Sequence, residues 1–351
     1  MRLLKYFVKR LIILVICSIA LLLMVFAVTQ FFPPEQRAVI FLRQAPRRPG
    51  DIEGAIIKYR LKEPWYIQFQ IWMSEVFSGN LGWSQTANGP VLAAMLAKFP
   101  ATVEIVMFSI PLTILGGMFL GVKSAEHQGK PVDYGTGALS IVGYSLPVFW
   151  LGIILIAIFA SALGWFPMSG RLGTSALYFV TSRYSGWRTY SGIYTIDGIL
   201  NWQFWITLDA LRHLVLPTIL LTITTIAIIL TVTRSSMLGI IRKRYIYVTT
   251  RKELTLDEVT SKRMRISALF PASMLSGLFF GSFLMSIIIT EVIFNFDGLG
   301  RWVARAAISL DVASVVGFTL SVGFFFLIAS FIVDIVSVSY THLRAHETGR
   351  N

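Results

Sequence analysis

Apolar residues along this chain gather into long runs separated by basic, aromatic and polar stretches. Six runs approach or exceed the ~20 residues that a helix needs to cross the hydrocarbon core of a bilayer. They fall at 11–31, 101–122, 135–163, 214–233, 268–292 and 312–336. The first, Leu11 to Phe31, contains no charged residue and follows Arg2, Lys5, Lys9 and Arg10. That order resembles a secretory signal, but the run is longer than an h-region of about 7–15 residues. Phe32-Pro33-Pro34 also lacks the small residues of a cleavage site, so a retained first helix is expected. Pro147 interrupts the third run within Tyr144-Ser145-Leu146-Pro147. A proline there removes a backbone hydrogen bond and clashes with the preceding turn. In lipid the freed carbonyl has to find a partner inside the protein. The third helix is therefore expected to kink, tilt or break, with that stretch facing other helices. A kink without any role in transport fits the residues equally well.

Composition turns apolar segments into a protein class. Of 351 residues, 55% are hydrophobic and 14% are charged, where soluble domains carry about 25% charged residues. Mean hydropathy is +0.69. So few charges cannot cover the surface of a soluble globule of this size. A cytosolic enzyme and a disordered chain are excluded on that ground. Cys17 is the single cysteine, which excludes an intrachain disulfide scaffold. The predicted fold is an all-α polytopic membrane protein with about six transmembrane helices. Its expected parts are an anchor helix (1–32), an extracytoplasmic segment (33–100), a transmembrane domain (101–336) and a tail (337–351).

Net charge is +13, from 31 Lys and Arg against 18 Asp and Glu. The basic residues sit between apolar runs, which points to a membrane face and its lipid headgroups rather than to nucleic acid. Four lie in the first ten residues. Nine lie in 234–265, namely Arg234, Arg242, Lys243, Arg244, Arg251, Lys252, Lys262, Arg263 and Arg265. The stretch 33–100 has eight, spread over 68 residues. With six crossings the two dense groups share one side, and the positive-inside rule makes it the cytoplasm. The N-terminus, 123–134, 234–265 and the C-terminus are then inside, and 33–100, 164–213 and 293–311 outside. Trp65, Trp83, Trp165, Trp187, Trp202 and Trp205 lie in the outer segments and suit an interfacial belt and a small outer cap.

No catalytic constellation emerges. His127 and His213 are isolated at helix ends, while His342 and His346 sit in a polar tail without carboxylate or cysteine partners, so no metal site and no cofactor are expected. The stretch Gly116 to Ser124 fails the phosphate-loop spacing and lies on a membrane helix, so the chain is not expected to hydrolyse ATP alone. Glu104, Glu291 and Asp334 fall near span ends, not span centres. An ion-coupled secondary transporter or channel, the main alternative, usually places acids near the midplane. A conduit driven from outside itself fits better. A membrane enzyme or a scaffold fits less well.

The stretch Arg234 to Pro271 is long for a mere connection between spans. Thr255 followed by Glu258 fits a capping box that starts a short helix. Two readings stand on the residues alone, a lipid-facing basic loop and a docking element for an acidic protein groove.

Several motifs occur in order along the chain. They are Gly79-Asn80-Leu81-Gly82-Trp83-Ser84, Gly89-Pro90-Val91, Phe99-Pro100-Ala101-Thr102-Val103-Glu104 and Ser145-Leu146-Pro147-Val148-Phe149-Trp150. Further on come Gly164-Trp165-Phe166-Pro167-Met168-Ser169-Gly170-Arg171, Leu211-Arg212-His213-Leu214-Val215-Leu216-Pro217, Glu291-Val292-Ile293-Phe294 and Gly298-Leu299-Gly300-Arg301. Together they resemble the inner-membrane permeases of dipeptide/oligopeptide ABC importers, from Met1 to about Val336. The resemblance implies no enzymatic activity of its own. It implies a pathway shared with a second, homologous permease subunit, two ABC ATPase subunits in the cytoplasm and an extracytoplasmic substrate-binding protein. It places a coupling loop at 240–271, with a short helix over 254–262. Leu254, Leu256, Asp257, Glu258 and Val259 are the residues expected to couple to the ATPase. Packing of the three apolar ones against the permease's own helices is the alternative. Glu253 stands 18 residues before Pro271, where the family carries a turn glycine. A glutamate in a left-handed turn is strained by roughly 1 kcal/mol or more, so a different turn type is expected. Candidate pathway-lining residues are Tyr144, Ser145, Thr222, Thr225, Ser282, Ser286 and Thr290, all neutral. Hydrogen bonding between helices is their alternative role. Peptides are the expected cargo, with nickel chelates and oligosaccharides also open. The tail from Ser337 departs from the family ending, is read as non-native and is assigned no function.

Overall fold

A computed structural model describes residues 2–241 and 276–348 of the chain. The coupling residues Leu254, Leu256, Asp257, Glu258 and Val259, and the Thr255–Glu258 capping box, lie outside the described residues. The helices in chain order are α1 (Arg2–Thr29), α2 (Pro34–Ala38), α3 (Pro49–Lys58), α4 (Trp65–Phe77), α5 (Val91–Glu126), α6 (Pro131–Ser145) and α7 (Val148–Leu155). A seven-residue π-helical stretch, Ile156–Ala162, continues α7. Then come α8 (Thr174–Thr181), α9 (Tyr194–Leu200), α10 (Phe204–Ile241), α11 (Ser276–Ile293), α12 (Leu299–Ile308) and α13 (Val312–Thr348). Among the described residues the one sheet is a two-stranded antiparallel ladder, β1 (Trp83–Ser84) with β2 (Gly89–Pro90).

Among the described residues, four helices are long and apolar enough to cross a membrane: Tyr6–Thr29, Val91–Glu126, Phe204–Gly239 and Val312–Ile332. The pair α6 and α7 makes a fifth if counted as one span, and Phe283–Ile293 is a shorter apolar helix. A helix thus stands at each apolar run read from the sequence. Pro147 acts as expected, for α6 and α7 meet at 111°. Pro147 is the N-cap of α7, with φ −59° and ψ 133°, where its missing N–H costs no helical bond. The stretch before it differs from expectation, because Tyr144 and Ser145 are exposed on this chain rather than covered by its other helices.

The chain forms two compact units, one of residues 1–102 with 297–351 and one of 103–296. In the first, α1 packs against α13. Arg10 Nη1 lies 2.8 Å from Asp334 Oδ2, Phe7 meets Phe331 edge-on, and the backbone at Gly323 closes on the Leu21 side chain. Early residues of α1 therefore face late residues of α13, so the two helices are antiparallel. The segment after α1 folds around Arg37, which donates to Gln30 Oε1, Gln68 Oε1 and the Leu61 carbonyl. Gly82 adopts φ +91°, and a Cβ there would sit 2.7 Å from Ile40 Cα. Only glycine satisfies both demands. Helix α12 shows why a short helix forms outside any apolar run. Leu299, Trp302, Val303 and Ala306 are buried at the i, i+3, i+4, i+7 spacing of one helix face.

Asp311 precedes α13 and is 2% exposed. Its carboxylate accepts from Ser84 Oγ (3.0 Å), the Thr86 N–H (2.9 Å), the Ser314 N–H (3.2 Å) and Ser314 Oγ (2.7 Å). Burial pushes this carboxyl upward, but the Ser314, Thr86 and Ser84 donors outweigh it and hold it below the ordinary 3.8. A depressed folded value contributes stability above the ordinary carboxylate range, and loses it as pH falls through the folded value. Acidifying the purified protein from pH 6 to pH 3 is thus expected to lower Tm, by about 2–4 °C per kcal/mol lost. Asp311→Asn should remove this part of the pH dependence. An identical acid shift in that variant would count against the assignment.

In the second unit α10 is the central element, packed against α6, α7, α9 and α11. Its core partners are Leu151, Leu155, Ala160 and Phe294 around Leu216 and Leu220. A second cluster joins Leu172 and Ala176 of the α8 region to Ile206 and Ala210. The backbone of α5 comes close to α10 at Gly117, beside Ile229, and at Gly121, beside Thr233.

Candidate functional site

The second unit carries two ionic clusters, and each joins residues far apart in the chain. The first is built on Glu104, which is 1% exposed. Its Oε2 accepts from Arg171 Nη2 at 2.7 Å and Nε at 3.3 Å, and its Oε1 from the Thr195 N–H at 2.8 Å. Arg171 Nη2 also donates to the Gly192 carbonyl at 2.7 Å. The guanidinium carbon lies 4.1 Å from the centre of the Tyr194 ring and 5.7 Å from that of Phe296. A planar fork that is hydrogen-bonded in its plane and stacked on its face is a role that arginine fills and lysine does not. The Gly170 N–H donates to the Phe294 carbonyl at 2.8 Å. Three sequence motifs, ending in Glu104, Arg171 and Phe294, therefore meet here. Beside them Asp197 is fully buried and accepts from the Ser191 N–H, Ser191 Oγ and the Gly192 N–H. Asp209 of α10 accepts from the Gly173 N–H at 2.7 Å. The segment 170–197 is thereby pinned to α5 through the buried Glu104 and to α10 through the half-buried Asp209. The sequence marks Glu104 as an acid near a span end and as the close of the motif that begins at Phe99. Its partner stands 67 residues on, and the available signal was a lone arginine closing Met168-Ser169-Gly170-Arg171.

The second cluster joins Asp133, in the first turn of α6, to Arg234, near the end of α10. Arg234 Nε reaches Asp133 Oδ1 at 2.8 Å, and Nη2 reaches Oδ2 at 2.9 Å. Ser124 of α5 donates to Asp133 Oδ1 at 2.5 Å and accepts from Arg234 Nε at 3.1 Å. Thr136 Oγ1 donates to Ser124 Oγ, and the Gly129 N–H donates to Asp133 Oδ2.

The seven neutral candidates do not share one surface. Tyr144, 60% exposed, and Ser145 stand on the surface of the chain at the end of α6. Thr225 is fully buried, donates to the Leu221 carbonyl, and lies 3.2 Å from Thr113 of α5. Thr290 is fully buried and donates to the Ser286 carbonyl, and Ser286 is buried beside it. Thr222 Oγ1 is buried and makes no hydrogen bond among the described residues. Ser282 lies on α11.

Long apolar helices, ionic groups paired near helix ends and neutral hydroxyls between them define the class as an all-α polytopic membrane protein. The chain belongs to the family of inner-membrane components of binding-protein-dependent transport systems, whose sequence profile matches residues 114–340. It is similar along nearly its whole length to the di/tripeptide transport system permease protein DppB of Pseudomonas aeruginosa. The identity is 32% over 335 residues, covering 95% of this chain and 96% of the relative. The dipeptide transport system permease protein DppB of Alkalihalophilus pseudofirmus is 31% identical, over 95% of this chain and 97% of its own length. The oligopeptide transport system permease protein AppB of Bacillus subtilis is 29% identical, over 82% and 83%. The chain is therefore a multi-pass membrane permease component of a transport system.

Proposed function

We propose that this chain is one of two homologous permease subunits of an importer of short peptides, with its N-terminus in the cytoplasm. Two ABC ATPase subunits would engage the short helix at 254–262 through Leu254, Leu256, Asp257, Glu258 and Val259. An extracytoplasmic binding protein would deliver the peptide. The observation that carries this reading is the near end-to-end similarity to permeases named for di- and tripeptides. The antiparallel pairing of α1 and α13 supports an even number of crossings, because it leaves the N-terminus and the far end of α13 on one side. The density of Lys and Arg in 234–265 supports calling the side of that loop cytoplasmic.

Tyr144 and Ser145 carry the pathway assignment, being neutral polar groups exposed at a broken span. Thr225, Ser286 and Thr290, enclosed within this chain, suit hydrogen bonding within and between helices. Thr222 and Ser282 complete the proposed set. Neutral lining lets a zwitterionic peptide pass without a deep electrostatic trap.

Affinity purification by a tag on this chain, from membranes of its own host, tests the reading. A homologous permease and ABC ATPase subunits should co-purify, and the reconstituted complex should take up labelled di- and tripeptides only with ATP. Recovery of this chain alone, with transport retained, would overturn the proposal.

A further inference from the structure

The pair Asp133–Arg234 sits at a junction that the proposed function needs but does not explain. Helix α10 runs from Phe204, near the Glu104–Arg171 cluster, to Ile241, within the start of the proposed coupling loop at 240–271. Arg234 lies within its last two turns. Asp133 lies in the first turn of α6, the helix that ends at Tyr144 and Ser145 before the 111° break. The two helices are tied twice. The first tie is the bidentate ion pair, with Ser124 and the Gly129 N–H filling out the carboxylate and Thr136 Oγ1 donating to Ser124 Oγ. The second lies at Gly143, where a Cβ would stand 2.7 Å from the Ile223 carbonyl oxygen and 3.0 Å from Ala227 Cβ. Backbone meets backbone there. From 133 to 143 along α6 is about 15 Å, and from 234 back to 223 along α10 is about 16.5 Å, at ~1.5 Å per residue. The ties therefore stand at matched heights on antiparallel helices. Two ties at that spacing fix both the sliding and the rotation of α6 on α10. A bidentate Arg–carboxylate pair adds fixed geometry as well as attraction.

We infer that Asp133 and Arg234 are positioning residues that lock α6 to α10, so that movement of the coupling loop reaches Tyr144 and Ser145 at the break. This rests on the proposed function. Loop displacement enters α10 at Ile241. The ion pair hands it to α6 within two turns, and α6 delivers it to its own far end. Without the pair, the two helices lose the fixed tie at their near ends, and α6 can pivot about the close backbone contact at Gly143. ATP hydrolysis then continues while the pathway no longer follows it.

The test uses the complete importer, reconstituted in proteoliposomes, with ATP hydrolysis and peptide uptake measured side by side. In Asp133→Asn the complex should assemble and hydrolyse ATP, while uptake falls about tenfold, within the usual range of coupling between sites. The ATP used per peptide rises by the same factor. Arg234→Lys, which keeps the charge but loses the fork, should show a smaller change in the same direction. A second measurement separates positioning from folding. In a Cys17→Ser background, Asp133→Cys with Arg234→Cys should show low uptake, and a short bifunctional thiol reagent bridging the two should restore it in the same sample. A stabilising role alone would lower complex yield and leave the ATP-to-peptide ratio of the surviving complex unchanged, which would overturn the inference. So would a bridged cysteine pair that assembles and stays uncoupled. A wild-type complex lacking ATPase subunits would instead strike the functional reading, so the two failures are distinguishable.

Discussion

Arg171→Ala is expected to destabilise the second unit by about 3–5 kcal/mol, the usual cost of removing one partner of a buried ion pair. The size follows from what remains. Glu104 is 1% exposed, so its carboxylate would keep only the Thr195 N–H and could not be solvated in place. The Gly192 carbonyl would lose its donor, and Tyr194 the cation stacked on its ring. Arg171→Lys should recover only part of the loss, since an ammonium keeps the charge but loses the second donor nitrogen to Glu104 and the planar face stacked on Tyr194. Glu104→Gln with Arg171→Met should be milder than either single truncation, because no charge is then left unpaired. Thermal unfolding of the purified protein, read with limited proteolysis between 182 and 192, checks all three. An Arg171→Ala protein as stable as wild type would refute the account of this cluster.

Leu256→Glu is expected to abolish peptide uptake while leaving membrane insertion and Tm unchanged. On the function proposed above, Leu256 stands between Leu254 and Val259 in the docking helix, and all three would meet a groove of the ATPase. A carboxylate forced into an apolar contact costs several kcal/mol when it finds no partner. Each ~1.4 kcal/mol is tenfold in affinity, so ATPase binding should weaken by about a hundredfold or more. The measurement is ATPase retained on the tagged permease, together with uptake. If Leu256 packs against the permease's own helices instead, the variant lowers Tm and yield, and the docking assignment falls.

The sequence was most legible where one residue type dominates the energetics. Apolar length placed a helix at every predicted span, and Pro147 marked the break because no other residue both loses an N–H and crowds the preceding turn. Short helices outside the apolar runs were not legible. Helix α12 buries one face of ten residues beside Arg301 and Arg305, too brief a pattern to stand out from a loop. The two ionic clusters were invisible for a different reason. Glu104 meets Arg171 across 67 residues and Asp133 meets Arg234 across 101, and no local periodicity encodes such pairings. The neutral lining set was chosen by polarity and position along the spans. Burial then separated it, because Thr225 and Thr290 satisfy their hydroxyls on their own helix backbone while Tyr144 and Ser145 stand in the open.

Helix α10 spans 38 residues, roughly 57 Å at ~1.5 Å per residue, against a hydrocarbon thickness of about 30 Å. A rod nearly twice as long as the oily layer is thick must lean, protrude or do both, and its apolar length alone does not choose among them. The choice falls to the neighbours that grip it. In the importer proposed here, lipid thickness thereby becomes a variable of the transport cycle, since a thinner bilayer favours a steeper lean of the helix that would lead into the coupling loop.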